Sequence, residues 1–157
     1  MVKSVRIEAR RTMTGRRGIH PRGLLPGDRR ATATAAARSL VVFSRDESII
    51  GYVARALDDG WRLERCPEPS QARDILLKVG VKVVVIDDGA IDYGTRGWLL
   101  DRVHKLAPDA LVAYIAANHS PEVERWARSH NVSHYDSQPL EPERIHRILR
   151  SFMGAAR

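Results

Sequence analysis

Cysteine occurs once in the 157 residues, as Cys66, so no internal disulfide and no multi-cysteine metal site can form. With no motif around it, this thiol is expected to be a core residue rather than a nucleophile. No apolar run approaches the roughly 20 residues that a membrane-spanning helix needs. The N-terminus lacks the apolar centre of a secretory leader, so a cytoplasmic location is expected. No Gly-x-Ser-x-Gly elbow is present, which argues against a serine hydrolase. The six histidines are scattered. His130 and His134 are four apart, but they straddle the end of an expected helix and have no third ligand beside them, so no zinc site is expected. Aromatic residues are few, 6% of the chain, and the first 38 residues contain none. That stretch therefore offers no platform on which nucleic-acid bases would stack.

What the first 38 residues do contain is charge. Ten Lys and Arg face only Glu8 and Asp28, a net charge of about +8 against +7 for the whole chain, so the body is close to neutral. Gly and Pro recur through "RRTMTGRRGIHPRGLLPGDRR", and large apolar groups are scarce. Such a segment cannot bury enough surface to offset its ordering entropy. Residues 1–38 are read as a basic, disordered tail, and residues 39–157 as one domain. The tail can attract phosphate backbones without sequence preference. Met13 offers an alternative start within it, and no output domain is expected after residue 153.

From Ser39 onward strands and helices alternate. "SLVVF" (39–43) is a first strand. A helix follows, with Ser44 and Glu47 in capping-box spacing and Ile49, Ile50, Val53 and Leu57 on one face. "WRLERC" (61–66) alternates as an edge strand does. "SQARDILLKVG" (70–80) is a helix capped by Ser70. "VKVVVID" (81–87) is apolar enough to be a central strand covered on both faces. Residues 96–108 form a helix with Trp98, Leu99, Val103 and Leu106 inward. "ALVAYIAA" (110–117) is another buried strand, and "SPEVERWARSHN" (120–131) a helix with Ser at the cap and Pro at its first position. "VSHYDS" (132–137) is the fifth strand. A last helix over 141–153 turns Ile145, Ile148, Leu149 and Phe152 inward.

Five strand–helix units with short loops imply a parallel sheet with helices on both faces. The fold class is α/β, a flavodoxin-like doubly wound sheet of five parallel strands. Sites in such folds lie at the C-terminal strand ends. Those ends here are Ser44–Arg45, Asp87–Asp88, Ala116–Ala117 and Ser137–Gln138. The first strand–helix loop, "SRDES", has no Gly-rich phosphate cradle, so a flavin is not expected.

The five-unit rhythm, the aspartate closing "VVVID" and the segment "HYDSQPL" together resemble a response-regulator receiver domain over residues 39–157. In the last segment Tyr135 and Pro139 match an aromatic–x–Thr/Ser–Lys–Pro pattern. The resemblance implies a (βα)5 fold and a site built from an acidic pair after strand one, a phosphoacceptor aspartate after strand three, a hydroxyl after strand four and a lysine after strand five. Asp87 matches the acceptor. The acidic pair falls on Ser44 and Arg45, or on Phe43 and Ser44 one residue earlier, the hydroxyl on Ala116 or Ala117, and the lysine on Gln138. Mg²⁺ demands hard oxygen ligands, and phosphoryl transfer demands cations against the equatorial oxygens, so these losses argue against Mg²⁺ or any other cofactor. Arg45 is expected to take the metal's place beside Asp87, and Asp88 to face the loop. The resemblance also implies coupling between the strand-four hydroxyl and the strand-five aromatic, which Ala116 breaks.

The chain is thus read as a pseudo-receiver: not an enzyme, but a two-component-type signalling module that acts by phosphorylation-independent protein–protein interaction. Two alternatives stay open, a working stand-alone receiver that uses Asp87 and a regulator held on nucleic acid by its tail. Trp126, Arg128, Tyr135 and Arg144, on helix four, strand five and helix five, form the expected face for a protein partner or a second copy. No membrane contact is expected.

Overall fold

The computed structural model describes residues 38–78 and 80–156. The tail expected over residues 1–38 lies outside that range except for Arg38, which opens the first strand instead of ending the tail. No helix among the described residues is long and apolar enough to cross a membrane.

Strand β1 (Arg38–Phe43) leads to helix α1 (Glu47–Ala56), and β2 (Trp61–Arg65) leads through a 3-10 turn at Pro69–Gln71 to the short helix α2 (Ala72–Leu76). Strand β3 (Val81–Asp87) leads to α3 (Arg96–Leu106), β4 (Leu111–Ala116) to α4 (Pro121–Ser129) and β5 (His134–Ser137) to α5 (Pro142–Ala155). All pairings are parallel, in the order β2-β1-β3-β4-β5. The alternating β2 is an edge strand, and the apolar β3 is central.

Two-residue alternation divides the strand side chains between two cores. Val41, Phe43, Val84, Ile86, Val112 and Tyr114 face α2, α3 and α4. Leu40, Val42, Val83, Val85, Ala113 and Ile115 face α1 and α5, which contribute Ile49, Val53, Ile145 and Leu149. Each fully buried aliphatic side chain contributes about 1.5–3 kcal/mol relative to exposure. This burial explains why near-continuous Val and Ile runs settle as strands here.

Several local expectations are corrected. The N-cap of α1 is Asp46, whose carboxylate accepts from the Ser48 and Ile49 amides; Ser44 lies further back, bonded to the sheet. A carboxylate at the cap suits the positive end of the helix dipole better than a hydroxyl does. Leu57 terminates α1 rather than extending it. Ser70 caps nothing, because the chain first makes a 3-10 turn. Trp98 is 43% exposed, while Leu99, Leu100 and Val103 fill the core. An eleven-residue helix has room for one inward stripe, and its flanking position leaves the indole at the rim. In α5 the buried stripe is Ile145, Leu149 and Met153, at i, i+4 and i+8, so Ile148 is only half-buried.

Candidate functional site

The strand register brings the sequence-predicted positions together. Phe43 lies beside Ile86, Asp87 beside Ile115, and Ala116 beside Ser137. The residues that follow β1, close β3 and β4 and follow β5 therefore line one end of the sheet, around Asp87.

Asp87 is 2% exposed. Its Oδ2 accepts a 2.6 Å hydrogen bond from the Ser44 hydroxyl. Its Oδ1 accepts from the Gly89 amide at 3.1 Å and from the Gln138 side-chain amide at 3.5 Å. Burial raises the Asp87 carboxyl above its ordinary value and the nearby Asp46 adds to this, while the bonds from Ser44, Gly89 and Gln138 pull the other way. Ser44 is held in turn, since its Oγ accepts the Asp46 amide at 2.9 Å. A Cβ added at Gly89 would stand 3.3 Å from Asp87 Oδ1 and crowd the carboxylate.

Arg45 does not pair with Asp87. Its guanidinium turns outward to Glu68 at 2.7 Å and to the Pro67 carbonyl at 3.1 Å. The ordinary alternation of a chain leaving a strand explains this: Ser44 points in, 1% exposed, and Arg45 points out to the surface.

Asp88 also departs from expectation. It packs inward and pairs with Arg96 at 3.6 Å, and both side chains are largely buried. Arg96 lies between two rings, 3.7 Å from the Tyr93 centroid and 4.5 Å from that of Trp126. Burial alone would lower its guanidinium; the Tyr114 hydroxyl, Asp88 and Tyr93 outweigh this and hold it above its ordinary value. The Tyr114 hydroxyl lies in the same cluster but finds no hydrogen-bond partner among the described residues, despite its closeness to Asp88 and Arg96. Burial, then Asp88, push its ionisation upward. Sequence reasoning missed this cluster. Its only sequence signal was a lone arginine at the start of an otherwise core-facing helix.

The residues present do not fit a divalent cation. Asp87 already accepts three donors, Asp46 caps α1, and Asp88 is tied to Arg96. No group of three metal-binding side chains occurs among the described residues. Cys66 lies in the core, with its thiol pushed up to about 11 chiefly by burial, so it is a poor nucleophile at neutral pH.

The expected interaction face is divided. Arg128 and Arg144 are exposed, paired to Glu124 at 2.7 Å and to Asp136 at 3.2 Å. Tyr135 is 7% exposed, stacked on Tyr114, with its hydroxyl 3.3 Å from His119 Nδ1. Trp126 is half-buried against Tyr114 and His130. The two aromatics mainly support the surface, and the arginines display it.

No protein-family model matches the sequence, and no curated protein matches it. Solved structures do. A response regulator from Thermotoga maritima aligns at a TM-score of 0.65 with 16% identity, over 75% of this chain and 98% of its own. A receiver domain from Methanospirillum hungatei aligns at 0.64 with 16% identity, over 77% and 97%. A structure described as a pilus assembly protein from Burkholderia thailandensis aligns at 0.61 with 19% identity, over 74% and 98%. With the strand order and the alternating elements above, these likenesses establish that the chain has the response-regulator receiver fold.

Proposed function

We propose that this protein is a signalling module of receiver type that has given up phosphoryl chemistry and works by docking to a protein partner in one fixed state, with no enzymatic step of its own. The observation that carries the reading is the 2.6 Å bond from Ser44 to Asp87. It puts a hydroxyl where the family places a metal-binding carboxylate, and it occupies the oxygen that an incoming phosphoryl group would need.

Other features support the same reading. Gln138 offers Asp87 a neutral amide, which stabilises developing negative charge less than an ammonium does. Ala116 carries no hydroxyl to couple the site to Tyr135. Tyr135 is already buried and stacked on Tyr114, as a surface held in one fixed state requires. The fold does not by itself imply a phosphorelay either, since similar solved structures include ones described as pilus assembly proteins.

The test is a titration of the isotope-labelled full chain with Mg²⁺, then with beryllofluoride, followed by amide NMR. The expected result is no saturable shift at residues 87–89 or at Tyr135. Saturable shifts that start at Asp87 and reach Tyr135 would overturn the proposal in favour of a working phosphoacceptor.

A further inference from the structure

We infer that the turn at Asp59–Gly60, between α1 and β2, is a site of spontaneous backbone modification, where Asp59 converts through a cyclic imide to isoaspartate. The same pair of residues at Asp88–Gly89 is protected by the fold.

The sequence contains two Asp-Gly pairs, and each follows another aspartate: Asp58-Asp59-Gly60 and Asp87-Asp88-Gly89. Identical triplets share their intrinsic chemistry, so a difference between them comes from their surroundings. Glycine favours the reaction, because it puts no side chain beside the attacking nitrogen.

Asp58, Asp59 and Gly60 are all exposed. The Trp61 amide donates to the Asp58 carbonyl at 3.2 Å, and Gly60 has a φ of +84°, the positive value that the third position of a type II turn needs. Neither the Gly60 amide nor the Asp59 carboxyl is engaged by another described residue. Nothing lies within 4 Å of the place a Cβ would take on Gly60, so the ring has room to form.

The reaction balances with water alone. The Gly60 nitrogen gives up its proton and bonds to the side-chain carbonyl carbon of Asp59, whose hydroxyl leaves with a proton as water. The product is a five-membered imide. Water then adds back at one of its two carbonyls. Attack at the side-chain carbonyl restores aspartate. Attack at the main-chain carbonyl breaks the old peptide bond, so the chain runs on through the side chain and leaves a free α-carboxylate. Nothing is oxidised or reduced.

At the second triplet both reactants are held. The Gly89 amide donates to Asp87 Oδ1 at 3.1 Å, and a carboxylate against this N–H opposes loss of its proton. The Asp88 side chain is 14% exposed and pairs with Arg96, so turning it onto the Gly89 nitrogen would strand a buried guanidinium.

The consequence falls on β2. Trp61 opens this edge strand, which pairs only with β1, and packs against the core beneath α1 and α5. Isoaspartate adds a methylene to the backbone just ahead of Trp61, and the bond that closes the turn cannot span the longer chain unchanged. The ageing protein therefore loosens first at the entry to β2.

The test holds the full chain in heavy-oxygen water at neutral pH and physiological temperature, with samples digested by trypsin in ordinary water. Each passage through the imide fixes one heavy oxygen. Trypsin separates the triplets into residues 56–62 and 83–96. In the folded chain the first peptide should gain label and isoaspartate, located by electron-transfer fragmentation, at least about tenfold faster than the second. In urea the two should label at similar rates. Asp59→Glu, which would have to close a less favourable six-membered ring, should abolish label in the first peptide and leave the fold intact. Equal rates in the folded chain, no label in residues 56–62, or label that survives Asp59→Glu would overturn the inference. A gap that persists in urea would do the same, since it would place the difference in the sequence and not in the fold.

Discussion

Tyr114 and Tyr135 lie on neighbouring strands with ring centroids 6.3 Å apart and planes only 12° from parallel. Trp126 meets Tyr114 edge-on at 5.7 Å, so the three rings form one aromatic wedge under α4. The Tyr135 hydroxyl in the wedge reaches His119, whereas the Tyr114 hydroxyl is fully buried and has no hydrogen-bond partner among the described residues. Removing that oxygen loses no bond and ends a desolvation cost. Tyr114→Phe is expected to leave stability unchanged or raise it by about 1 kcal/mol, measured by urea unfolding. Destabilisation by more than that amount would mean that the hydroxyl is bonded to Asp88 or Arg96.

Asp88 and Arg96 form the largely buried ion pair of the described residues, and breaking such a pair strands one charge. Arg96→Met is expected to cost about 3 kcal/mol, and Asp88→Asn a similar amount. The double variant should cost clearly less than the two combined, since neither charge is left alone. Simple additivity in a double-mutant cycle would show that Arg96 acts through its stacking on Tyr93 and Trp126 instead.

The contrast between Asp87 and Arg96 shows what a sequence makes legible. "VKVVVID" declares a buried central strand, because four consecutive apolar residues leave it no solvent face, and the strand then dictates that Asp87 lies at its C-terminal end. The register of parallel neighbours does the rest, placing Ser44, Ala116 and Gln138 around it. Arg45 was misplaced because the one-residue difference between an inward and an outward side chain is set by the exact exit from β1. Arg96 was invisible for a different reason. Its burial depends on Tyr93, Trp126 and Asp88 meeting from three separate elements, and no local pattern encodes a long-range sandwich. Trp98 illustrates the same limit: an indole in a core-facing helix reads as core until the width of the inward stripe is known.

The raised Asp87 carboxyl has a consequence for pH. Its folded value lies above the ordinary 3.8, so the folded state holds the proton more tightly than the unfolded chain. The ionised group therefore weighs against the fold above its folded value, and this is relieved as pH falls toward 3.8. Asp87→Asn is expected to stabilise the protein at neutral pH, with the gain shrinking as pH falls through that window. Urea unfolding across pH 3 to 7 measures it; a loss of stability at neutral pH would mean that the three donors to the carboxylate outweigh its burial.

His134 moves in the opposite direction. Burial lowers its imidazole below the ordinary 6.5, and Arg144 and Arg128 add to this, while Asp136 opposes them. With the folded value below the unfolded one, the unfolded chain takes up the proton first. Stability is fully present above 6.5 and declines as pH falls from there toward the lowered folded value. Replacing the imidazole by a group that does not titrate should remove this part of the acid response. His134→Gln is expected to flatten the stability profile just below pH 6.5 relative to the unaltered chain. An unflattened profile in His134→Gln would mean that Asp136 holds the imidazole charged in the folded protein, and that the pair closes instead of standing open at the edge of β5.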